Sequence, residues 1–529
     1  MKTKIILKGF LLSSLVVATF LSCTDLEIEE TDSIITADSG SSEFTPLSDP
    51  SSSLSDLYNK VGGDFQSQET MYAMSEVASD ELLIPTRGTD WGDNGVWRQM
   101  HTHTWRADHL FIRNAWNNLN QSIFRATEIL ESDPSTQVVA EAKFLRAFNM
   151  FFVMDLFGVV PFREVTEGPD VNPKVLTRLE AYNFIETDLI EALADLPEGS
   201  TGTANTGKAT KATANFLLAK LYLNSFIYDG TGTADNATMQ KVIDNVDAIA
   251  ASGFSIDQNG YFQIFEPSDD TETILHLSSE VAPRIWNTLH YNQNSPDNDG
   301  GGWNGFSTLS EFYDSFEGAE NSNYVGDNQE ERRGFVPDAT TANSQNLGIG
   351  YGFLIGQQYN EDGTALKNRQ GQPLSFTKEI PALVGNTEVE GMRLIKYHPY
   401  DPTDTEDEKS PLVNSFRRHQ ILFRYADAHL MKAEAMMRMG GDATTLVNEL
   451  RTNRANTSVL ASVSMDDILA ERGRELYIEY WRRNDLVRFD KFTAPWQLKE
   501  VSGDPNVNLY PIPQTALLSN PNLVQNPGY

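Results

Sequence analysis

The run VVAEAKFLRAFNMFFVMDLFG, residues 138–158, sets Val138, Ala142, Leu145, Phe148, Phe152 and Leu156 at spacings of three and four, then stops at Gly158 with Pro161 beyond. Only an α-helix gathers that set on one side, and so wide an apolar face has to be covered by other elements. The same period returns in LEAYNFIETDLIEALADL (179–196), KATANFLLAKLYLNSF (211–226), HQILFRYADAHLMKAEAMMRMGG (419–441) and ILAERGRELYIEYWRRNDLVRF (468–489). Short links between neighbouring helices favour antiparallel pairs, so the expected class is mainly α. No clean 34-residue tetratricopeptide consensus accompanies the period. From residue 254 to about 415 it lapses into Gly, Asn, Asp and Pro clusters such as NQNSPDNDGGGWNG (292–305). Irregular stretches of that length are functional or disordered, and the aromatic content here favours an ordered, functional one.

The first residues, MKTKIILKGFLLSSLVVATFLSC, have the parts of an export signal: Lys2, Lys4 and Lys8, an apolar stretch from Phe10 to Leu21, and small Ser22 before a cut. Cys23 is the only cysteine in 529 residues. With no second thiol to pair in an oxidising compartment, its natural use is lipidation, and FLSC is similar to a lipobox with Phe20 where leucine is usual. Several acyl chains on one residue anchor a protein stably. No other segment offers the roughly 18 uncharged apolar residues of a spanning helix. The expected segments are a signal peptide (1–22), an acidic, Ser-rich tether from the lipidated cysteine (23–53), a first part with helix pairs (54–250), and a second part with the loop-rich region and the final helices (251–529). Lys and Arg number 41 against 74 Asp and Glu, a formal charge of −33. That field excludes nucleic acid as partner and weighs against a strongly anionic polymer.

Three stretches carry a family resemblance: FLRAFNMFFVMDLFGVVPF (144–162), the run from FRYADAHLMKAEAMMRMGGDATTLVNELRTNRA through ERGRELYIEYWRRNDLVRFDKF, and the terminal LYPIPQTALLSNPNLVQNPGY. They resemble the SusD/RagB family of outer-membrane glycan-binding lipoproteins. The resemblance implies a mainly α fold of tetratricopeptide-like helix pairs, with a loop-rich irregular half carrying the ligand site. It also implies a non-catalytic protein that captures oligosaccharide at the outer face of the outer membrane and passes it to a SusC-like TonB-dependent transporter. Acidic residues directly after Cys23 are similar to the surface-export signal of Bacteroidota lipoproteins, in keeping with an outward-facing anchor.

Sugar chemistry asks for flat aromatic surface against the C–H face of a pyranose and for Asn, Asp, Gln or Arg against its hydroxyl rim. Two groups offer it. IPTRGTDWGDNGVWRQMHTHTW (84–105) holds Arg87, Trp91, Asp93, Asn94 and Trp97 among turn-forming residues, and RIWNTLHYNQNSPDNDGGGWNG (284–305) holds Trp286, Tyr291 and Trp303. These eight are the expected glycan contacts. Trp105 and Trp116 are expected in the core. His101, His103 and His109 lack a Cys or acidic partner at fixed spacing and are read as packing residues. Asp297, Asn298 and Asp299 could offer oxygen ligands to calcium but lack the EF-hand spacing, so no metal or cofactor is expected. The alternation of Arg472, Arg474, Arg482, Arg483 and Arg488 with Glu471, Glu475, Glu479 and Asp485 is read as ion pairs along a helix face. A surface glycoside hydrolase is the rival reading, uninformed by spacing because 74 acidic residues always include a suitable pair. A helical-repeat scaffold for protein partners is the other.

Overall fold

The computed structural model describes residues 44–529 apart from 169, 203, 267, 279–286, 294–300, 320–327, 400–418 and 501–503. Many of its helices begin where the sequence supplies caps. Helix α1 (Pro50–Gln66) starts within the stretch expected to be tether, because Asp49 accepts the Ser52 N–H and Pro50 occupies the first turn, where its missing N–H costs nothing. Helices α2 (Leu110–Leu130) and α3 (Thr136–Phe157) follow, and α3 ends on left-handed Gly158, φ 75°. Capping boxes open α4 (Arg178–Asp195, Thr177 with Glu180) and α5 (Lys211–Leu223, Thr210 with Thr213). Then come α6 (Asn236–Ala251), α7 (Tyr425–Arg438), α8 (Thr444–Thr452) and α9 (Met465–Leu476), the last opened by a Ser464–Asp467 box.

Successive helices pair: α2 on α3, α3 on α4, α5 on α6, and α6 on α7. Helix α3 is the centre, with Phe144, Phe148, Phe151, Phe152 and Phe157 all buried. Phe148 meets Phe65, Phe152 and Phe423 at ring distances of 5.3, 5.1 and 5.9 Å, so one core joins helices on both sides of residue 250. Removing one such ring would cost about 3–5 kcal/mol. Among the described residues no helix is long and apolar enough to cross a membrane.

The sheets are small and frame the loops. Strand β1 (Leu82–Leu83) pairs antiparallel with β4 (Ser307–Thr308), and β2 (Thr86–Arg87) pairs parallel with β7 (Val384–Asn386). The longest pair is β3 (Thr273–Ser278) with β9 (His419–Arg424). A three-stranded sheet has β6 (Tyr351–Leu354) between β5 (Gly334–Phe335) and β8 (Arg393–Ile395). Short strands separated by hundreds of residues thus bring the two aromatic groups of the sequence to one place.

The Arg/Glu alternation takes a form that helical spacing does not suggest. Only Arg474–Glu471 and Arg488–Asp485 are bonded within a turn of chain. The rest form a buried lattice between distant segments. Glu475 accepts from Arg332 (2.9 Å), Arg424 (2.7 Å) and Arg454 (2.8 Å), while Arg424 and Arg454 also reach Glu272. A second group joins Arg472 to Asp427 and Asp485, and Arg488 to Glu434 and Asp485. Burial alone would raise these carboxyl groups, but the surrounding guanidinium groups overcome it, holding Glu475 well below the ordinary range and Glu471 down to about 2.

Candidate functional site

The loop after β2 is built from backbone that most side chains avoid. Gly88, Trp91, Asp93, Asn94 and Gly95 all have positive φ, from 35° at Asp93 to 84° at Gly95. Non-glycine residues there cost of order 1 kcal/mol or more each and persist only when the surroundings enforce them. The enforcement is visible. Arg87 and Asp90 exchange backbone N–H···O bonds of 3.0 and 2.8 Å, Thr86 Oγ1 donates to the Trp91 carbonyl, and Arg98 donates to Thr86 and to the Gly92 carbonyl.

Trp91 is held half-buried. Its indole N–H donates to the Trp303 carbonyl at 2.7 Å, and its ring lies so close over Gly305 that a Cβ there would come within 2.2 Å of it. Glycine at 305 is therefore required by the approach of the ring. Trp303 itself is 61% exposed, the largest aromatic surface displayed among the described residues. Beside this pair, the Tyr291 hydroxyl donates to Asp90 at 2.6 Å, and the Arg369 guanidinium lies 3.8 Å over the Tyr291 ring while donating to Asp90 and Glu388. A cleft of about 700 Å³ opens here, with Asp90, Asn368, Arg369, Gln370, Asn386 and Glu388 on its walls.

The charges of the cleft are internally balanced. Burial works to raise Glu388, but the hydrogen bonds from Arg369, Gln370 and His290 bring it down to about 2. The Tyr291 hydroxyl and Arg369 likewise hold Asp90 below its ordinary value. His290 is pushed down to about 4 by burial, so at neutral pH it is uncharged: its Nδ1 accepts the Asn292 N–H, and its Nε2–H donates to Glu388 at 3.1 Å. A glycosidase needs one carboxyl group that stays protonated near neutral pH. Asp90 and Glu388 are both held ionised, which suits hydrogen-bond acceptance from hydroxyl groups.

Of the eight expected contacts, Trp91, Tyr291 and Trp303 come together, and Asp93 and Asn94 are exposed on the same loop. Two are buried rather than displayed, although Arg87 still borders the cleft. Arg87 is 3% exposed, and its terminal nitrogens donate to the carbonyls of Thr387 and Glu390 and to Ser307 Oγ, tying β2 to two other segments. Trp97 is also 3% exposed; its N–H donates to Asp93 and its ring packs on Phe111 (4.6 Å) and Phe306 (5.6 Å), beneath the platform. Trp286, Asp297, Asn298, Asp299 and Cys23 lie outside the described residues. The sequence reading missed Asp90, Arg369, Gln370 and Glu388; Asp90 sits next to Trp91 in DW, but the others are some 280 residues away with no local signature.

The remaining candidates are structural. Trp105 and Trp116 are buried at 3% and 4% exposure. His101, His103 and His109 each bond main-chain oxygens, of Leu82 and Gln497, of Ala78, and of Val96. Among the described residues no three His, Cys, Asp or Glu side chains are placed to hold a metal ion.

Residues 271–529 match the model of the SusD family, and residues 51–223 match one described as starch-binding associating with outer membrane. The starch-binding protein SusD of Bacteroides thetaiotaomicron is 28% identical over 509 residues, 90% of this chain and 88% of that protein. Surface glycan-binding protein A from the same organism, in complex with laminarihexaose, superposes with a TM-score of 0.65 at 17% identity, over 90% of this chain and 98% of that one. A laminarin-binding SusD-like protein gives a TM-score of 0.63 at 22% identity, over 92% and 100%. Helix pairs, loop-borne aromatic cluster and sequence match agree: this chain belongs to the SusD/RagB family.

Proposed function

We propose that the protein is a non-catalytic glycan-binding lipoprotein of the cell surface, which lays neutral oligosaccharide on Trp91, Tyr291 and Trp303 and passes it to a TonB-dependent transporter of the outer membrane. The observation that carries the reading is Trp303, 61% exposed and joined through its carbonyl to the fixed indole of Trp91, whose chain neighbour Asp90 lines a cleft walled by amides and carboxylates. Each ring covering a sugar face contributes on the order of 1 kcal/mol, from some tens of Å² at about 25 cal/mol/Å². Several rings are needed for useful affinity. Neutrality of the ligand is supported by the charges: among the described cleft residues Arg369 is matched by Asp90 and Glu388, and Arg87 is buried on main-chain oxygens, so the lining offers no net positive charge to an acidic sugar. Relatives named for starch and for laminarihexaose point to glucans first.

Arg87 and Trp97 serve in this reading as the strut and the underside of the platform; Asp93 and Asn94 bond the hydroxyl rim. Calorimetric titration with maltohexaose and laminarihexaose tests it, alongside a count of new reducing ends on the matching polysaccharides. Saturable binding without turnover is expected, and activity that grows with time and survives further purification would replace the binding protein with an enzyme. The anchor is tested by Cys23→Ala, expected to move the protein from outer membranes to soluble fractions.

A further inference from the structure

A second cavity, of about 300 Å³, lies away from the Trp91 cleft, between the residues before β5 and the loop that carries Ala455 and Asn456. Three rings border it. Tyr351 stands between Phe262 and Phe335 at centroid distances of 5.0 and 5.9 Å with interplanar angles of 41° and 42°, so the three make a concave, unstacked wall. Gly334 lets the wall close up: its φ is 76°, and a Cβ there would meet the Tyr351 carbonyl oxygen at 2.0 Å. The mouth is amide. Gln263 and Asn456 are exposed; the Gln263 side chain and the Asn456 amide oxygen make no hydrogen bond among the described residues. Both acids of the lining are already engaged: Glu331 accepts the Tyr261 and Ala455 N–H groups, and buried Glu330 accepts from Arg332 and the Glu317 N–H.

We infer that this cavity is a second carbohydrate subsite, which takes a single neutral sugar residue of the same polysaccharide that the Trp91 cleft holds. The inference rests on the glycan-binding reading of that cleft. At about 30 Å³ per water the space equals roughly ten waters, the scale of one pyranose with its hydroxyl groups. Aromatic walls cover the C–H face, the Gln263 amide and the Asn456 amide oxygen meet the rim, and the spent carboxylates offer nothing to a cation. Strand β6 runs from Tyr351 toward Gln358, whose side chain bonds Gln293 next to the Tyr291 segment, so the path between the two sites is at most seven extended residues, about 24 Å, plus the side-chain contacts from Gln358 through Gln293 to the Tyr291 segment. One polymer chain can bridge that span, whereas a short oligosaccharide occupies one site at a time.

The test separates this site from the first. Ala455→Trp fills the mouth without removing any packed group, and Phe335→Ala removes one wall. Retardation in native gels containing laminarin or soluble starch measures polymer binding, while titration with laminarihexaose and maltohexaose measures the stronger site. Both variants should bind polymer about tenfold more weakly with hexasaccharide affinity unchanged, and Trp303→Ala protein should keep a residual retardation that Ala455→Trp abolishes. If Ala455→Trp protein matches wild type on the polymer while Trp303→Ala protein loses binding, the cavity is not a sugar site and the first reading stands; a pocket that holds an apolar peptide gives that same result. Should wild-type protein bind neither polymer nor hexasaccharide, both readings fall.

Discussion

The Glu475 lattice and the Trp91 loop are made of the same materials, arginines, carboxylates and aromatic rings, and they end in opposite states. Around Glu475 the charged groups are buried and almost wholly consumed, one Arg332 nitrogen aside: Arg332, Arg424 and Arg454 converge on it, and Tyr261 and Tyr477 are sealed beside them. Around Trp91 the consumption is partial. Arg87, Trp97 and the Trp91 N–H are spent on holding the loop, while the Trp303 ring, Asn94 and the cleft walls stay open. Buried polar groups left unmatched are expensive, so a densely paired lattice makes a scaffold. A binding surface needs the same pairing underneath and a deliberate shortage of partners on top.

The largest effect should come from breaking the lattice. Glu475→Ala leaves three buried guanidinium groups short of a partner, and the loss should be about 3–5 kcal/mol of folding stability, read by denaturant unfolding; Trp303→Ala should leave that midpoint unmoved. A milder result for Glu475→Ala, below about 1 kcal/mol, would mean that the lattice is no more than surface-like pairing.

Platform variants come next. Trp303→Ala should weaken oligosaccharide binding about five- to thirtyfold, for roughly 1–2 kcal/mol of lost sugar contact, with the melting temperature close to wild type because most of the ring is exposed. Trp91→Ala should lose affinity similarly and also destabilise the fold by about 1–3 kcal/mol, since its ring packs on Gly305, Trp97 and Phe306. Equal melting curves for the two variants would erase the distinction between displayed and half-buried ring.

Acid separates the two regions by pH. His290 is uncharged in the fold, lowered from 6.5 to about 4, so its contribution is present above 6.5 and is lost as pH falls toward 4. Protonation puts a hydrogen on Nδ1 and breaks the bond from the Asn292 N–H. Glu471 is lowered from 4.5 to about 2, so its contribution persists above 4.5 and is lost only between there and 2. Folding stability measured from pH 7 to 4.5 should therefore lose the His290 contribution before it loses that of Glu471, and His290→Gln should make that decline shallower. An identical pH dependence of stability in wild type and His290→Gln over this window would remove His290 as a source of the decline.

The smallest effect is expected at Asn94. Asn94→Gly removes one hydroxyl-rim partner, worth about 0.5–1.5 kcal/mol, while relieving a side chain at φ 51°. Affinity should fall a few-fold as stability holds or rises slightly; a loss of stability would show that Asn94 is structural.

What was legible in advance follows from range. Helix α3 stops at Gly158 because the period, the glycine and Pro161 all lie within a few residues of one another, and Asp235 or Thr177 caps its helix from the adjacent position. The aromatic loop was legible as well, since Gly88, Asp93, Asn94 and Gly95 write left-handed backbone in their own side chains. Those short-range facts the sequence determined alone: mainly α pairs, an irregular half, and rings carried on turns. Which rings are displayed was settled only by the tertiary structure. Trp97 and Trp303 have the same side chain in the same kind of surroundings, yet one is 3% exposed and the other 61%, because Phe111 and Phe306 close over the first and nothing described closes over the second. Arg87 became a strut only when Thr387, Glu390 and Ser307 arrived from more than 200 residues away. Burial belongs to the set of neighbours that chain folding assembles, and no spacing within a single loop encodes it.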